Sequence, residues 1–148
     1  MRVSQKGIDL IKEFEKMKSV AYKPTPYDRW TVGYGVTFYS NGAAVKEGDT
    51  LTQEQAEELL EYHLNDILKK LGAIPKNVTQ NQLDAVVSLV YNIGVTAFLT
   101  SETGKLFKQG KDISHKFDKW IYQNGSQLKG LVRRRKAEKE LYMAPDVV

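Results

Sequence analysis

The chain has 148 residues, with 22 Lys and Arg against 18 Asp and Glu for a formal charge of +4, and is 41% hydrophobic and 27% charged. That is the composition of one globular domain, and its eight tyrosines, five phenylalanines and two tryptophans supply the apolar burial that disordered chains lack. The absence of cysteine excludes disulfides and thiolate chemistry, and two histidines, His63 and His115, are too few for an ordinary zinc site, so no metal is expected.

Met1 to Lys6 leads straight into an amphipathic segment, and no apolar run has the length of a signal peptide or membrane span. The expectation is a chain without a transmembrane anchor that accumulates in the cytoplasm. Ser4 is placed to cap a first helix, on which Ile8, Leu10, Ile11 and Phe14 share one side. With Ile8 at zero and about 100° per residue, Glu15 falls at about 340°, inside the apolar arc, while Glu13 at about 140° faces away. A carboxylate on the apolar side is disfavoured as an anion, which suits a proton donor. The rival reading is a helix-end Glu15 paired with Arg29 or with one of Arg133 to Arg135.

From Ser19 to Thr50 the texture is aromatic, β-branched and rich in Gly and Pro, predicting a small sheet of short strands and turns. Within Thr31-Val-Gly-Tyr-Gly35 the glycines weaken a strand and admit a ligand close to the backbone. A dinucleotide loop is excluded, because its third glycine would fall at Phe38. Thr103-Gly-Lys105 fails as a phosphate loop for the same kind of reason, Leu99 standing where the earlier glycine belongs.

Thr52-x-x-Gln55 reads as a capping box opening a long helix that stops at Gly72, with His63 packed on its apolar side. Thr79-x-x-Gln82 opens a second helix, apolar nearly all round up to Gly94, that belongs in the middle of a lobe. Asn92, near its end, is either a substrate-facing residue or a helix-end cap. Shorter helical patterns follow over 104–109, 113–122 and 130–143. The basic run Arg133 to Lys136 precedes Glu138 and Glu140 within pairing distance, so a solvated or internally paired face is expected rather than a nucleic-acid site. The fold class is α+β in one domain: a sheet lobe over about 13–52, a connecting helix over 53–71, and a helical lobe over 73–148 together with the N-terminal helix. A cleft between the lobes is the expected place for a site.

Glu15, then Ala21-Tyr22, then Trp30-Thr-Val-Gly-Tyr-Gly35, resembles the catalytic segment of the bacteriophage-type lysozymes, the endolysin muramidases. Gln82-Leu-Asp-Ala-Val-Val-Ser-Leu-Val-Tyr-Asn-Ile-Gly94 is similar to that family's buried central helix. Phe117-Asp-Lys-Trp120 with Gly130-Leu-Val-Arg-Arg-Arg-Lys-Ala-Glu138 is similar to its C-terminal signature. The resemblance implies hydrolysis of the β-1,4 bond between N-acetylmuramic acid and N-acetylglucosamine in peptidoglycan, without cofactor or metal. It further implies a monomer made in the host cytoplasm, released by a separate holin and acting on the wall from the periplasm.

The family's site is a glutamate, an aspartate nine residues on, and a threonine six further. Glu15 matches the glutamate and Thr31 the threonine, but nine residues after Glu15 stands Pro24, and six before Thr31 stands Thr25. Asp28 is the sole carboxylate between Glu15 and Thr31. It reads either as the second group that glycoside hydrolysis needs or as a turn former, in which case Thr25 and Thr31 would position the water. The resulting site is Glu15, Thr31 and Asp28 as catalytic residues, with Thr25, Gly33, Tyr34 and Asn92 on substrate. The alternatives are a non-hydrolytic, peptidoglycan-binding degenerate lysozyme, or a basic helical nucleic-acid binder. Against the last, the chain has no reader motif and interleaves its bases with acids.

Overall fold

A computed structural model describes residues 1–123 and 126–146; of the helical lobe expected over 73–148, residues 124, 125, 147 and 148 lie outside the described residues. The chain divides into two compact units, one of Lys12–Asp66 and one of Met1–Ile11 with Ile67–Val148. Helices α1 (Gln5–Glu15) and α2 (Gln53–Leu71) each run through a boundary between them.

In the first unit, β1 (Lys18–Tyr22) pairs antiparallel with β2 (Thr31–Gly33), Lys18 opposite Gly33 and Tyr22 opposite Thr31. Single bridges from Val20 to Thr50, Val32 to Val36 and Phe38 to Ala44 extend this small sheet. Ala21, Val32, Val36, Val45 and Leu59 bury themselves together, with Trp30, Tyr39 and Leu51 packed on them. The expected capping box opens α2: the Gln55 N–H donates to Thr52 Oγ1 at 3.1 Å, and the Thr52 N–H to Gln55 Oε1 at 2.9 Å. His63 is packed, as its position on the helix required. Its Nε2 lies 3.0 Å from the Phe38 carbonyl oxygen and its ring stands edge-on to Phe38, fastening the sheet's loop to α2.

In the second unit, α3 (Gln80–Ile93) is the buried centre, with Leu83 and Ala85 through Leu89 wholly inside. Thr79 and Gln82 form the capping box read from the sequence, and the Asp146 carboxylate accepts the N–H groups of Gln80 and Asn81 at 3.1 and 3.0 Å. A negative group at a helix N-terminus satisfies donors that the helix cannot. Ser4 departs from its expected use. Its carbonyl receives the Ile8 N–H, but its hydroxyl donates to Asp84 on α3 instead of accepting from α1. Buried Asp84 also takes the Ser4 N–H at 2.9 Å and Gln80 Nε2 at 2.8 Å. Gly7 permits this contact, since a Cβ there would lie 2.9 Å from Asp84 Cβ.

Two elements were not anticipated. Helix α4 (Val95–Thr100) follows α3 directly, Gly94 closing one helix and opening the next, and Phe98 buries it. Helix α5 (Glu102–Lys108) and a 3₁₀ helix (Ser114–Lys119) fall where helical patterns were read, but β3 (Tyr122–Gln123) and β4 (Ser126–Gln127) pair antiparallel. Among the described residues no helix is long and apolar enough to cross a membrane.

Helix α6 (Lys129–Met143) holds the basic run, and half of that run is internal. Glu138, 0% exposed, accepts Arg134 Nε and Arg135 Nη2 at 3.1 Å each and the Ser88 hydroxyl at 2.5 Å, and Arg135 Nε is ion-paired to its Oε1 at 2.6 Å. Intramolecular pairing was expected; burial of both guanidiniums was not. Burial pushes the Glu138 carboxyl up from its ordinary value, against the pull of Arg135 and Arg134. Glu138→Ala strands two buried cations, so it should lower unfolding stability by about 3–5 kcal/mol, read from the shift in urea midpoint at constant slope.

Candidate active site

The site begins where α1 stops. Glu15 is the last helical residue, and the next, Lys16, takes φ +50 while its N–H donates to the Lys12 carbonyl at 3.0 Å. A single left-handed residue closing a helix this way is ordinarily a glycine. The reversal leaves Glu15 half-buried and turns the chain directly into β1.

The Glu15 carboxylate lies against Gly35. A Cβ on Gly35 would stand 2.6 Å from Glu15 Oε1 and displace that carboxylate, and the φ of +83 is what requires glycine there. The group that lies close to this backbone is the protein's own carboxylate. Gly33 is different: the space beyond its missing Cβ is filled by Leu51 and Ala56, at 3.2 and 3.6 Å.

Thr31 is buried opposite Tyr22, and its hydroxyl donates to the Arg29 carbonyl at 3.0 Å. With its proton committed, the hydroxyl oxygen offers lone pairs, so toward a ligand it is an acceptor. Arg29 itself is exposed. Burial pushes the Tyr22 phenol up from its ordinary value, and the negative charges of Glu15 and then Asp28 add to that shift. Both carboxylates thus act on one phenol, which the strand register sets opposite Thr31. Tyr22 appeared in the sequence only as part of a motif; its place opposite Thr31 depends on that register, which no local pattern reveals.

Thr25 to Asp28 form a turn with Pro26 second: the Asp28 N–H donates to the Thr25 carbonyl at 3.0 Å, and the Tyr27 N–H to Thr25 Oγ1 at 3.3 Å. The turn-forming side chain is Thr25. The Asp28 carboxylate, exposed, enters none of the turn's hydrogen bonds. Tyr34 is buried, its hydroxyl accepting from Gln53 Nε2 at 2.7 Å, with the Lys12 ammonium 5.7 Å from the ring centre and 2.5 Å from Glu57 Oε1.

Asn92 belongs to the other unit. Its side-chain oxygen accepts from Arg135 Nη1 at 2.9 Å, and with Lys119 and Trp120 it lines a pocket of about 390 Å³. The end of α3 is capped by Gly94, not by Asn92. Among the described residues no group of three or more His, Asp or Glu side chains is disposed to hold a metal ion.

Comparison with known proteins matches residues 12–138 to the phage lysozyme family model. The endolysin of Acyrthosiphon pisum secondary endosymbiont phage 1 is 42% identical over 96% of this chain and 98% of its own. The endolysin of Bacillus phage PZA is 36% identical over 96% of this chain, which spans only 55% of that longer protein. Among solved structures, the muramidase domain of SpmX from Asticaccaulis excentricus superimposes with a TM-score of 0.80 at 35% identity, covering 97% of this chain and 99% of that one.

Gly35→Ala forces a side chain into left-handed backbone and into the Glu15 carboxylate. It should cost about 1–3 kcal/mol, read as a lowered melting temperature without loss of secondary structure by circular dichroism.

Proposed function

The chain belongs to the phage lysozyme family, and from that premise we propose that Glu15, Asp28 and Thr31 together cut the β-1,4 bond between N-acetylmuramic acid and N-acetylglucosamine. The protein is a peptidoglycan-hydrolysing endolysin, a glycoside hydrolase. The observation that supports the residue assignment is the local geometry: Glu15 ends α1 just before β1, β1 sets Tyr22 across from Thr31, and Asp28 ends the turn that leads into Thr31.

Protonated Glu15 gives its proton to the glycosidic oxygen as the carbon–oxygen bond breaks. Asp28 takes a proton from a water as that water's oxygen bonds to the sugar carbon, and one water is consumed per bond cut. Thr31, its own proton held by the Arg29 carbonyl, accepts a hydrogen bond from the water and orients it. Tyr22, with its phenol pushed up chiefly by burial, stays protonated through the working range and keeps a hydroxyl proton to donate. Thr25 shapes the turn that presents Asp28, and Thr25, Gly33, Tyr34 and Asn92 are assigned to substrate. The finer readings of a monomer, of accumulation in the host cytoplasm and of release to the wall by a separate holin rest on the family relationship.

Glu15→Gln should cut the rate of wall clearing at least about a hundredfold with the fold intact, whereas Glu13→Gln, on the opposite face of α1, should be nearly silent. Activity of Glu15→Gln within a few-fold of the parent would remove the acid assignment. Asp28→Asn should lower turnover about a hundredfold with an unchanged melting temperature, because the turn does not use its carboxylate. If Asp28→Asn is nearly silent and Thr25→Ala shows the larger defect, Thr25 and Thr31 position the water without a base.

A further inference from the structure

Tyr27 is 98% exposed, the most exposed of the large apolar side chains among the described residues. It nonetheless stands on fixed backbone. Pro26 sets φ at the turn's second position, and the Thr25 carbonyl and hydroxyl receive the N–H groups of Asp28 and Tyr27. The third position of such a turn has no need of a phenol; Asn, Asp or Gly serve it better. Neighbouring aromatic rings are already used: Trp30 packs on the core with Lys23 Nζ 5.3 Å from its ring centre, and Tyr22 is half-buried across from Thr31. Tyr27 contributes no packing to the fold.

We infer that Tyr27 is a carbohydrate-stacking residue that receives the apolar face of one N-acetylated pyranose of the glycan strand, on the same turn that presents Asp28. The inference rests on the reading of peptidoglycan as substrate. A pyranose chair offers a face of C–H groups, and an aromatic ring held outward on a rigid turn can cover it with little ordering cost, since the backbone is set beforehand and tyrosine has only two side-chain torsions. The occupant is fixed by continuity with the site: Asp28 is the next residue on the same hydrogen-bonded turn, and that turn leads into Thr31. The hydroxyl at the ring's edge remains available to the sugar's amide or hydroxyl groups. Because the ring is uncharged, its contribution persists at salt concentrations that screen the attraction of a +4 chain for an acidic wall.

The test compares the parent with Tyr27→Ala, Tyr27→Phe and Tyr27→Trp, measuring affinity for the N-acetylglucosamine hexamer by calorimetry and kinetics on purified peptidoglycan, at low and at high salt. Tyr27→Ala should weaken hexamer affinity about tenfold, the scale of covering part of one aromatic face, and raise KM rather than lower kcat, equally at both salt concentrations. Tyr27→Phe and Tyr27→Trp should restore both. Hexamer affinity unchanged in Tyr27→Ala overturns the inference, as does a fall in kcat with affinity intact, which would mean that Tyr27 only shapes the Asp28 turn. If the parent fails to cut peptidoglycan but Tyr27→Ala still loses hexamer affinity, the assigned reaction fails and the stacking site stands.

Discussion

Lys16 holds a left-handed backbone conformation that costs an L-residue about 1–2 kcal/mol, and the geometry of the site follows from that one turn. It ends α1 immediately after Glu15, so the carboxylate sits at the helix terminus and not one turn back inside the helix. It starts β1 two residues later, which fixes the register that puts Tyr22 across from Thr31. It also leaves Glu15 lying on the bare α-carbon of Gly35. A strained residue is kept only where the surroundings over-determine it, and here the Lys12 carbonyl, the strand pairing and the Gly35 contact do so.

The helical unit solves a different problem with the same residue types. Asp84 and Glu138 are wholly buried, and each is surrounded by donors: the Ser4 backbone and hydroxyl with Gln80 for Asp84, and two guanidiniums with the Ser88 hydroxyl for Glu138. Such groups contribute little net stability compared with apolar residues of the same volume, but removing one partner is costly, so they tie α1 to α3 and α6 to α3 in one arrangement. Arg135 extends the second network outward through Asn92 and the Trp120 carbonyl. Core polar groups are thereby coupled to the lining of the pocket at the end of α3.

What the sequence made legible was local. The boxes at Thr52/Gln55 and Thr79/Gln82, the stop at Gly72 and the burial of α3 are each written within a few residues, and each appears in the structure. Helical phase put Glu15 on the apolar side of α1, and the structure leaves it half-buried at the helix end. Ser4 was misread because a cap signature cannot show that a carboxylate 80 residues away competes for the hydroxyl. Helix α4 was missed because Val95 and Thr96 are β-branched and Gly94 reads as a terminus; the burial of Phe98 overrides that propensity. The depth of Arg134 and Arg135 was not legible, because charge patterning shows pairing distance and not burial. At the site, the roles of Tyr22 and Gly35 depend on strand register and on a close approach between segments distant in sequence.

The departure from the family pattern has a structural consequence of its own. Pro24 removes the carboxylate at the usual place, and Pro24 and Pro26 flank Thr25, restricting the backbone on both sides of it. Thr25 then uses both its carbonyl and its hydroxyl within the turn, so neither atom points its hydrogen-bonding capacity wholly toward a ligand. A base moved along the chain from the familiar position must be carried by a segment stiff enough to return it to the same sugar face, because proton transfer falls steeply with misplacement. A proline-fixed turn ending in Asp28 supplies that stiffness, and the longer interval between Glu15 and Thr31 supplies the length. The same rigidity holds Tyr27 outward at no added cost, so in the proposed mechanism one rigid turn both carries the base and adds a surface for the glycan beside it.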